Sequence, residues 1–273
     1  MLHSRHFKFF FKFATILCVK ISAVLITFNE EKHIADAIKS LACADEILVV
    51  DSESTDGTRE KGMKAGAKVL VKKWAGFSAQ KQFAVDQAEH DWIISLDADE
   101  RVSPELRSEI FGLKKNGTTA DGYRIPRLSI YMGRPIRHGG WYPDWQLRFF
   151  DRRKGKWKDV RIHESFEMAK GSKTAKLNGE IIHYSVESAA HHHLMVGERY
   201  APLAARQMFD NGRRTSPIKI VFAGWLTFIQ TYIVKGGFLD GIPGFVIAYF
   251  AAHHSFLKHV LLWEMQNAKT PPE

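Results

Sequence analysis

The sequence predicts an α/β fold, a mainly parallel sheet flanked by helices on both faces, and two observations carry that prediction. Short apolar, β-rich runs alternate with helix-compatible stretches between residues 21 and 97. Each run also ends on polar or acidic residues, and in parallel sheets ligands bind outside the carboxyl ends of the strands. The first run is ISAVLIT (21–27), continuing into Thr27-Phe28-Asn29-Glu30, with a helical stretch from Glu30 to Leu41. EILVVD (46–51) is the second; it leads into Asp51-Ser52-Glu53-Ser54, a turn and a helix near Asp56 to Lys64. AKVLVK (67–72) is the third, followed by a helix through Gln80 to Glu89. DWIISLD (91–97) is the fourth, and it closes on Asp97-Ala98-Asp99.

Composition narrows the partners. A chain of 273 residues with 45% hydrophobic content can bury a full core. Two cysteines, Cys18 and Cys43, with no Cys-x-x-Cys, exclude a disulfide framework. The histidine runs 191–193 and 253–254 lack the spacing of a zinc cage. A net charge of +9 points to an anionic partner: a nucleotide phosphate, a nucleic acid or a membrane surface. Residues 1–19 form a basic, aromatic leader, disordered or a surface anchor. Its uninterrupted apolar piece, Phe13 to Val19, is too short to span a bilayer.

The acids at the strand ends divide by role. Asp56, in STDGT just before a helix, reads as a helix cap. Asp51 ends a buried strand, where its carboxylate could accept from a base N–H or a sugar hydroxyl. Extended backbone would put Asp97 and Asp99 on the same side of the chain. Two adjacent carboxylates repel unless a cation or proton lies between them. Hard oxygens of this kind suit Mg²⁺ or Mn²⁺, with substrate phosphates completing the shell. An isolated Asp-x-Asp says little; at the end of a fourth α/β strand it says more.

TFNEE, VDSESTDGT, QKQFA and SLDADE, in this order and spacing, resemble the nucleotide-sugar half of a family 2 glycosyltransferase with a GT-A fold. The similarity is to bacterial enzymes of lipopolysaccharide core assembly of the β-1,4-glucosyltransferase type, and it covers roughly residues 20 to 265. It implies transfer of a sugar, glucose favoured, from a UDP-linked donor with inversion and a divalent metal. Carried over, Thr27, Asn29 and Glu30 line the nucleotide pocket with Lys81 and Gln82, and Asp51 reaches the uracil. Asp97 and Asp99 then hold the ribose and the metal–diphosphate. Gln82 departs from the asparagine that relatives often carry, which leaves its role open.

The acceptor side falls in 138-HGGWYPDWQLRFFDRRKGKWKDVRIHESF-166. Trp141, Tyr142 and Trp145, beside Arg148, could stack on sugar rings and bind hydroxyls, although one or two of Trp141, Trp145 and Trp157 are expected in the core. An inverting transfer needs one carboxylate to take the acceptor proton. Asp144, in PDWQLRFF, is the predicted base, with an ion pair to Arg148 or Arg152 as the competing structural reading and Glu164 next in line. His163, in RIHES, could complete the metal shell or contact the diphosphate; similar enzymes carry a VHE-like motif there. Arg148, Arg152, Arg153 and Lys154 could screen phosphates, or form a solvated basic face in the case of the last two.

The catalytic domain is expected over 20–185 and a helical region over 186–273. A helix should stop near Asn211-Gly212. Two apolar stretches follow, 217–234 and 242–265. The first is short of the roughly 20 residues a spanning helix needs, and the second carries His253, His254, Lys258 and His259. The prediction is therefore a membrane-associating appendage, lying in the interface or packed as a hairpin, on the cytoplasmic face of the inner membrane. A hydrophobic core or dimer interface is the alternative. The predicted partners are a UDP-sugar and a lipid-linked glycan. Transfer to a polyprenyl phosphate carrier is the alternative activity, and a nucleic-acid partner is disfavoured by the lack of any recognised motif.

Overall fold

The structure, a computed structural model, describes residues 18–158, 165–186 and 188–268. Its first half is the expected alternation: β1 (Ile21–Thr27), α1 (Ile34–Ser40), β2 (Glu46–Asp51), α2 (Thr58–Lys64), β3 (Lys68–Val71), α3 (Phe77–Asp86) and β4 (Trp92–Asp97). Strand β1 is buried along its whole length and pairs in parallel with β2 and β4, so its side chains serve both faces. Ala23 and Leu25 pack with Ile34 and Ile38 of α1 on one face, while Val24 and Ile26 pack with Ala84 and Val85 of α3 on the other. This two-sided burial explains the continuous apolar run, since alternation is lost when both faces are covered. Truncating one such side chain, Leu25→Ala, would cost about 2–5 kcal/mol.

Past β4 the chain departs from the simple parallel pattern. β5 (Glu100–Val102) leads into α4 (Pro104–Asn116), which is capped by Ser103 Oγ accepting from the Leu106 N–H at 3.1 Å. The long β6 (Gly122–Tyr131) and the short β7 (Arg134–Pro135) turn the chain back into β8 (Asp144–Asp151). β9 (Gly155–Trp157), β10 (Phe166–Met168), β11 (Thr174–Lys176) and β12 (Ile181–Val186) follow. The main sheet order is β3-β2-β1-β4-β8-β6-β12-β5. β8 runs antiparallel to both β4 and β6, so the sheet is parallel at one end and mixed at the other. An antiparallel return needs only a short connection, whereas a parallel one needs a helical crossover.

Beyond Val186 the chain is helical. α5 (Ala189–Leu194) runs through a π-helical turn into α6 (Ala201–Asp210), which ends at Asn211 with Gly212 at φ 69°, as the stop signal predicts. α7 (Pro217–Phe228), extended by a π-helical turn to Val234, and α8 (Gly241–Asn267) form an antiparallel hairpin. The two helices approach closely at Gly224, where a Cβ would lie 3.3 Å from the Ala252 carbonyl oxygen. Thr215 Oγ1 lies 2.9 Å from His259 Nδ1 at one end, and Phe228 stacks edge-on against Phe245 at the other. Both stretches, Pro217–Val234 and Gly237–Asn267, are long and apolar enough to cross a membrane. Their outer face is exposed: Ile218, Phe222, Trp225, Leu226 and Ile242 all lie in contact with solvent.

The hairpin grips the sheet at one point. Ile247 packs with Tyr131, Ile136 and Val186. The Gly139 N–H donates to the Lys235 carbonyl at 2.9 Å, and Asp240 accepts from the His138 N–H at 2.8 Å. The loop that precedes Asp144 is therefore seated on the apolar appendage.

Candidate active site

The carboxyl ends of β1, β2 and β4 meet the start of β8 and the middle of β6, and the site is built there. Its centre is an alternating chain of charge. Lys81 Nζ, on a side chain 1% exposed, lies 2.9 Å from Asp97, and Arg148 Nη2 lies 3.1 Å from the same carboxylate. Arg148 also reaches Glu100 at 3.2 Å; Glu100 is fully buried and accepts from the Asp97 N–H at 2.9 Å. Arg127 then bridges Glu100 at 3.1 Å to Asp144, at 2.7 and 2.9 Å. Three cations alternate with three carboxylates, so the buried charges are compensated within the chain. Burial opposes ionisation of Asp97, but Lys81 and Arg148 hold its carboxyl far below the usual carboxylate range.

The two acids of the Asp-x-Asp do not share one side of an extended strand. β4 ends at Asp97 and residues 98–99 form a turn, so strand alternation stops between them. Asp97 is held by Lys81 and Arg148, whereas Asp99 faces His183 of β12, its Oδ2 lying 3.3 Å from Nε2. Burial lowers the affinity of that imidazole for a proton, but the Asp99 carboxylate outweighs it and raises the pKa above its ordinary value. No group of three histidine, cysteine or acidic side chains gathers among the described residues. A divalent ion could thus take one oxygen and one imidazole nitrogen from the chain, a donor pair that fits Mn²⁺ better than the oxygen-seeking Mg²⁺, with the remaining positions open to phosphate and water. His163 and Glu164 lie outside the described residues.

The other predicted residues are placed as follows. Asp51 is fully buried at the end of β2 and accepts from the Ser54 N–H at 2.9 Å and the Ser54 hydroxyl at 2.5 Å. Asn29, at φ 53°, accepts from the Thr55 N–H at 2.9 Å, which clips the first strand-end loop to the second. The Glu30 N–H donates to Thr58 Oγ1 at 2.8 Å, and the Thr27 hydroxyl is buried without a hydrogen-bond partner among the described residues. Asp56 does not cap α2 as the sequence suggests: the N-cap position falls on Gly57 with no side-chain cap. Asp56 instead accepts from the Thr58 N–H at 3.0 Å in the turn before the helix and from the Glu31 N–H at 3.2 Å. Gln82 points the other way: it accepts from the Trp157 N–H and donates to Asp86. Gln80, not singled out in the sequence, is fully buried and ties Ser52 to the Lys72 carbonyl at 3.0 and 2.9 Å.

On the acceptor side, Asp144 stands at the start of β8 with its side chain 37% exposed. Arg127 holds Oδ2 and Gln146 donates to Oδ1 at 2.7 Å. The ion pair is with Arg127 rather than with Arg148 or Arg152. Tyr142 donates to Glu180 at 2.7 Å, Lys176 Nζ sits 4.2 Å over the Trp145 ring, and Trp141 leans on Tyr131. Trp157 belongs to the core with Phe150 and Phe166. Arg152 caps carbonyls near the end of α3 and Arg153 pairs with Asp151, so neither faces the strand-end cleft. Arg127, Glu180 and His183 carry no motif signal; the one clue, for Arg127 and His183, is the appearance of charged or polar residues within the strand runs GYRIPRLSIY and IIHYSV.

A parallel β3-β2-β1-β4 unit with acids at its carboxyl ends, extended by a mixed sheet and flanked by helices, is a GT-A-type fold. The chain belongs to glycosyl transferase family 2, whose sequence pattern matches residues 22–174, and it is a glycosyltransferase. It is 28% identical over 258 residues to the lipopolysaccharide core biosynthesis glycosyltransferase LpsC of Rhizobium meliloti, covering 92% of this chain and 95% of that one. It is 32% identical over 270 residues to an uncharacterised glycosyltransferase of Rickettsia bellii, covering 94% and 90%. Among solved structures, S. aureus TarS 1–349 in complex with UDP-GlcNAc aligns over 91% of this chain and 92% of that chain, at 15% identity and a TM-score of 0.46.

Proposed function

We infer that the protein is an inverting glycosyltransferase moving a sugar, glucose favoured, from a UDP-sugar to a hydroxyl of a lipid-anchored glycan of the lipopolysaccharide-core type. The observation that carries this reading is Asp144, a partly exposed carboxylate fixed by Arg127 and Gln146 at the start of β8, just after a loop seated against the apolar hairpin. A carboxylate so oriented is suited to take the proton of an acceptor hydroxyl as the new glycosidic bond forms. Thr27, Asn29, Glu30 and Asp51 would border the nucleotide, and Lys81 with Arg148 would fix Asp97 toward the ribose. Asp99 and His183 would hold Mg²⁺ or Mn²⁺, which when bound offsets the charge developing on the leaving diphosphate. Trp145 and Tyr142 would border the acceptor sugar. The relative named for lipopolysaccharide core synthesis supports the acceptor class, and the exposed apolar face of α7 and α8 supports peripheral attachment to the cytoplasmic face of the inner membrane.

The test is a UDP-release assay across UDP-glucose, UDP-galactose and their N-acetylated counterparts with truncated core lipopolysaccharide as acceptor. Release with UDP-glucose that requires the acceptor is the expected result. Two stretches long and apolar enough to cross a membrane favour a second reading, transfer to a polyprenyl phosphate. Turnover on that carrier with none on core lipopolysaccharide would replace the first reading.

A further inference from the structure

At the open end of the α7–α8 hairpin, away from the site above, a cavity of about 490 Å³ is lined by Met208, Arg213, Arg214, Lys219, Lys258 and His259. Five of these six can carry positive charge and none can carry a negative one. Arg213, Arg214, Lys219 and Lys258 have no ion-pair partner among the described residues, whereas Arg206, close by, is already paired with Asp210. Lys258 is half-buried, and burial pushes its ammonium below its ordinary pKa, so the folded protein holds a cation where solvent compensates it poorly. An anion in the cavity would relieve that. The lining is also continuous with the exposed apolar face: Ile218 precedes Lys219 on α7, and Phe222 and Trp225 extend the same helix.

We propose that this cavity binds the phosphate of an anionic phospholipid, with the exposed apolar residues of α7 and α8 lying among the acyl chains beside it. Phosphate is the class because the lining offers guanidinium forks and ammonium groups together. A bilayer lipid is the source because a free phosphate would leave the adjoining apolar face unexplained. Bound this way, the headgroup sets the hairpin at interface depth, and the hairpin in turn carries the Gly139 loop that leads to Asp144. The proposal rests on the peripheral-membrane part of the function above. It is independent of the transfer chemistry.

The experiment uses the full chain and vesicles of phosphatidylcholine with or without phosphatidylglycerol, read by co-sedimentation. The double variant Arg214→Ser/Lys258→Gln is compared with Lys170→Gln/Lys173→Gln, which removes the same charge from exposed positions on the catalytic domain. A basic group near an anionic surface is worth about five-fold in binding, so the cavity variant should bind anionic vesicles about 25-fold more weakly. It should retain the wild-type response to neutral vesicles, showing that the hairpin is folded, and its UDP binding should be unchanged. An unchanged affinity for anionic vesicles overturns the proposal, as does an equal loss in the control pair, which would reveal a diffuse field. Binding of inorganic phosphate that the cavity variant loses, with its affinity for anionic vesicles unchanged, would assign the cavity to a soluble phosphate instead. Indifference to all vesicles with a dimer in light scattering would make the apolar face a contact between copies. Loss of transfer with vesicle binding intact would count against the catalytic reading alone.

Discussion

Glu100→Gln removes one charge from the middle of the ion network and leaves the shape of the side chain almost unchanged. Glu100 accepts three hydrogen bonds, from the Asp97 N–H, Arg127 and Arg148, and none of its side chain is exposed. A glutamine can offer one carbonyl oxygen to these donors, while its NH₂ would face a donor and leave at least one buried group unsatisfied. Breaking a buried pair by removing one partner costs about 3–5 kcal/mol. Arg148 keeps Asp97 and Arg127 keeps Asp144, which places the expected loss near the lower end, ~3 kcal/mol. Urea unfolding at neutral pH, followed by far-UV circular dichroism, should show the midpoint falling with an unchanged slope, the sign of a stability change without a change in compactness. Arg127 would also lose one of its two anchors, so Asp144 would be held less firmly and transfer should fall more than UDP-sugar affinity. A loss under about 1 kcal/mol with normal transfer would refute the view that Glu100 couples the two arginines.

Asp144→Asn keeps the size and most hydrogen bonds but removes the proton-accepting charge, so transfer should fall by about 10²–10⁴-fold with donor binding nearly intact. Steady-state UDP release checks this, and a near-normal rate would move the base to another acid. Asp99→Asn should abolish turnover dependent on Mn²⁺ or Mg²⁺; wild-type activity that persists in EDTA would end the metal assignment. Asp45 supplies a pH test remote from the site. Burial raises its pKa, but Lys114 at 2.8 Å, the Ile21 N–H at 3.0 Å and Lys20 at 2.9 Å lower it to about 2. A carboxyl depressed in the folded state stabilises above its unfolded pKa and loses that contribution as pH falls through the folded value. The urea-midpoint gap between wild type and Asp45→Asn should therefore be open above about pH 4 and close toward pH 2.

What the sequence determined by itself is the order and kind of elements through β4, because each is set by local periodicity. Two-sided apolar strands and the Asn211-Gly212 stop act over a few residues, and the structure follows them closely. The strand-end acids were legible for the same reason, since polar residues at the end of a buried run stand out in the chain itself. The antiparallel position of β8 was not legible, because pairing across the sheet has no local signature. Nor was the ion network: Lys81, Arg148 and Arg127 lie 16, 51 and 27 residues from the acids they meet. Asp97 and Asp99 read as a pair only while the strand is imagined to continue; the turn at 98–99 sends one toward Lys81 and the other toward His183. Apolarity of the last two helices could be seen in the composition, but their outward face could not. That face is decided by the close contact of Gly224 with α8 and the docking of Ile247 on the sheet, which select the side chains that remain in solvent. Burial and charge compensation are properties of neighbours in space, and only the folded chain brings those neighbours together.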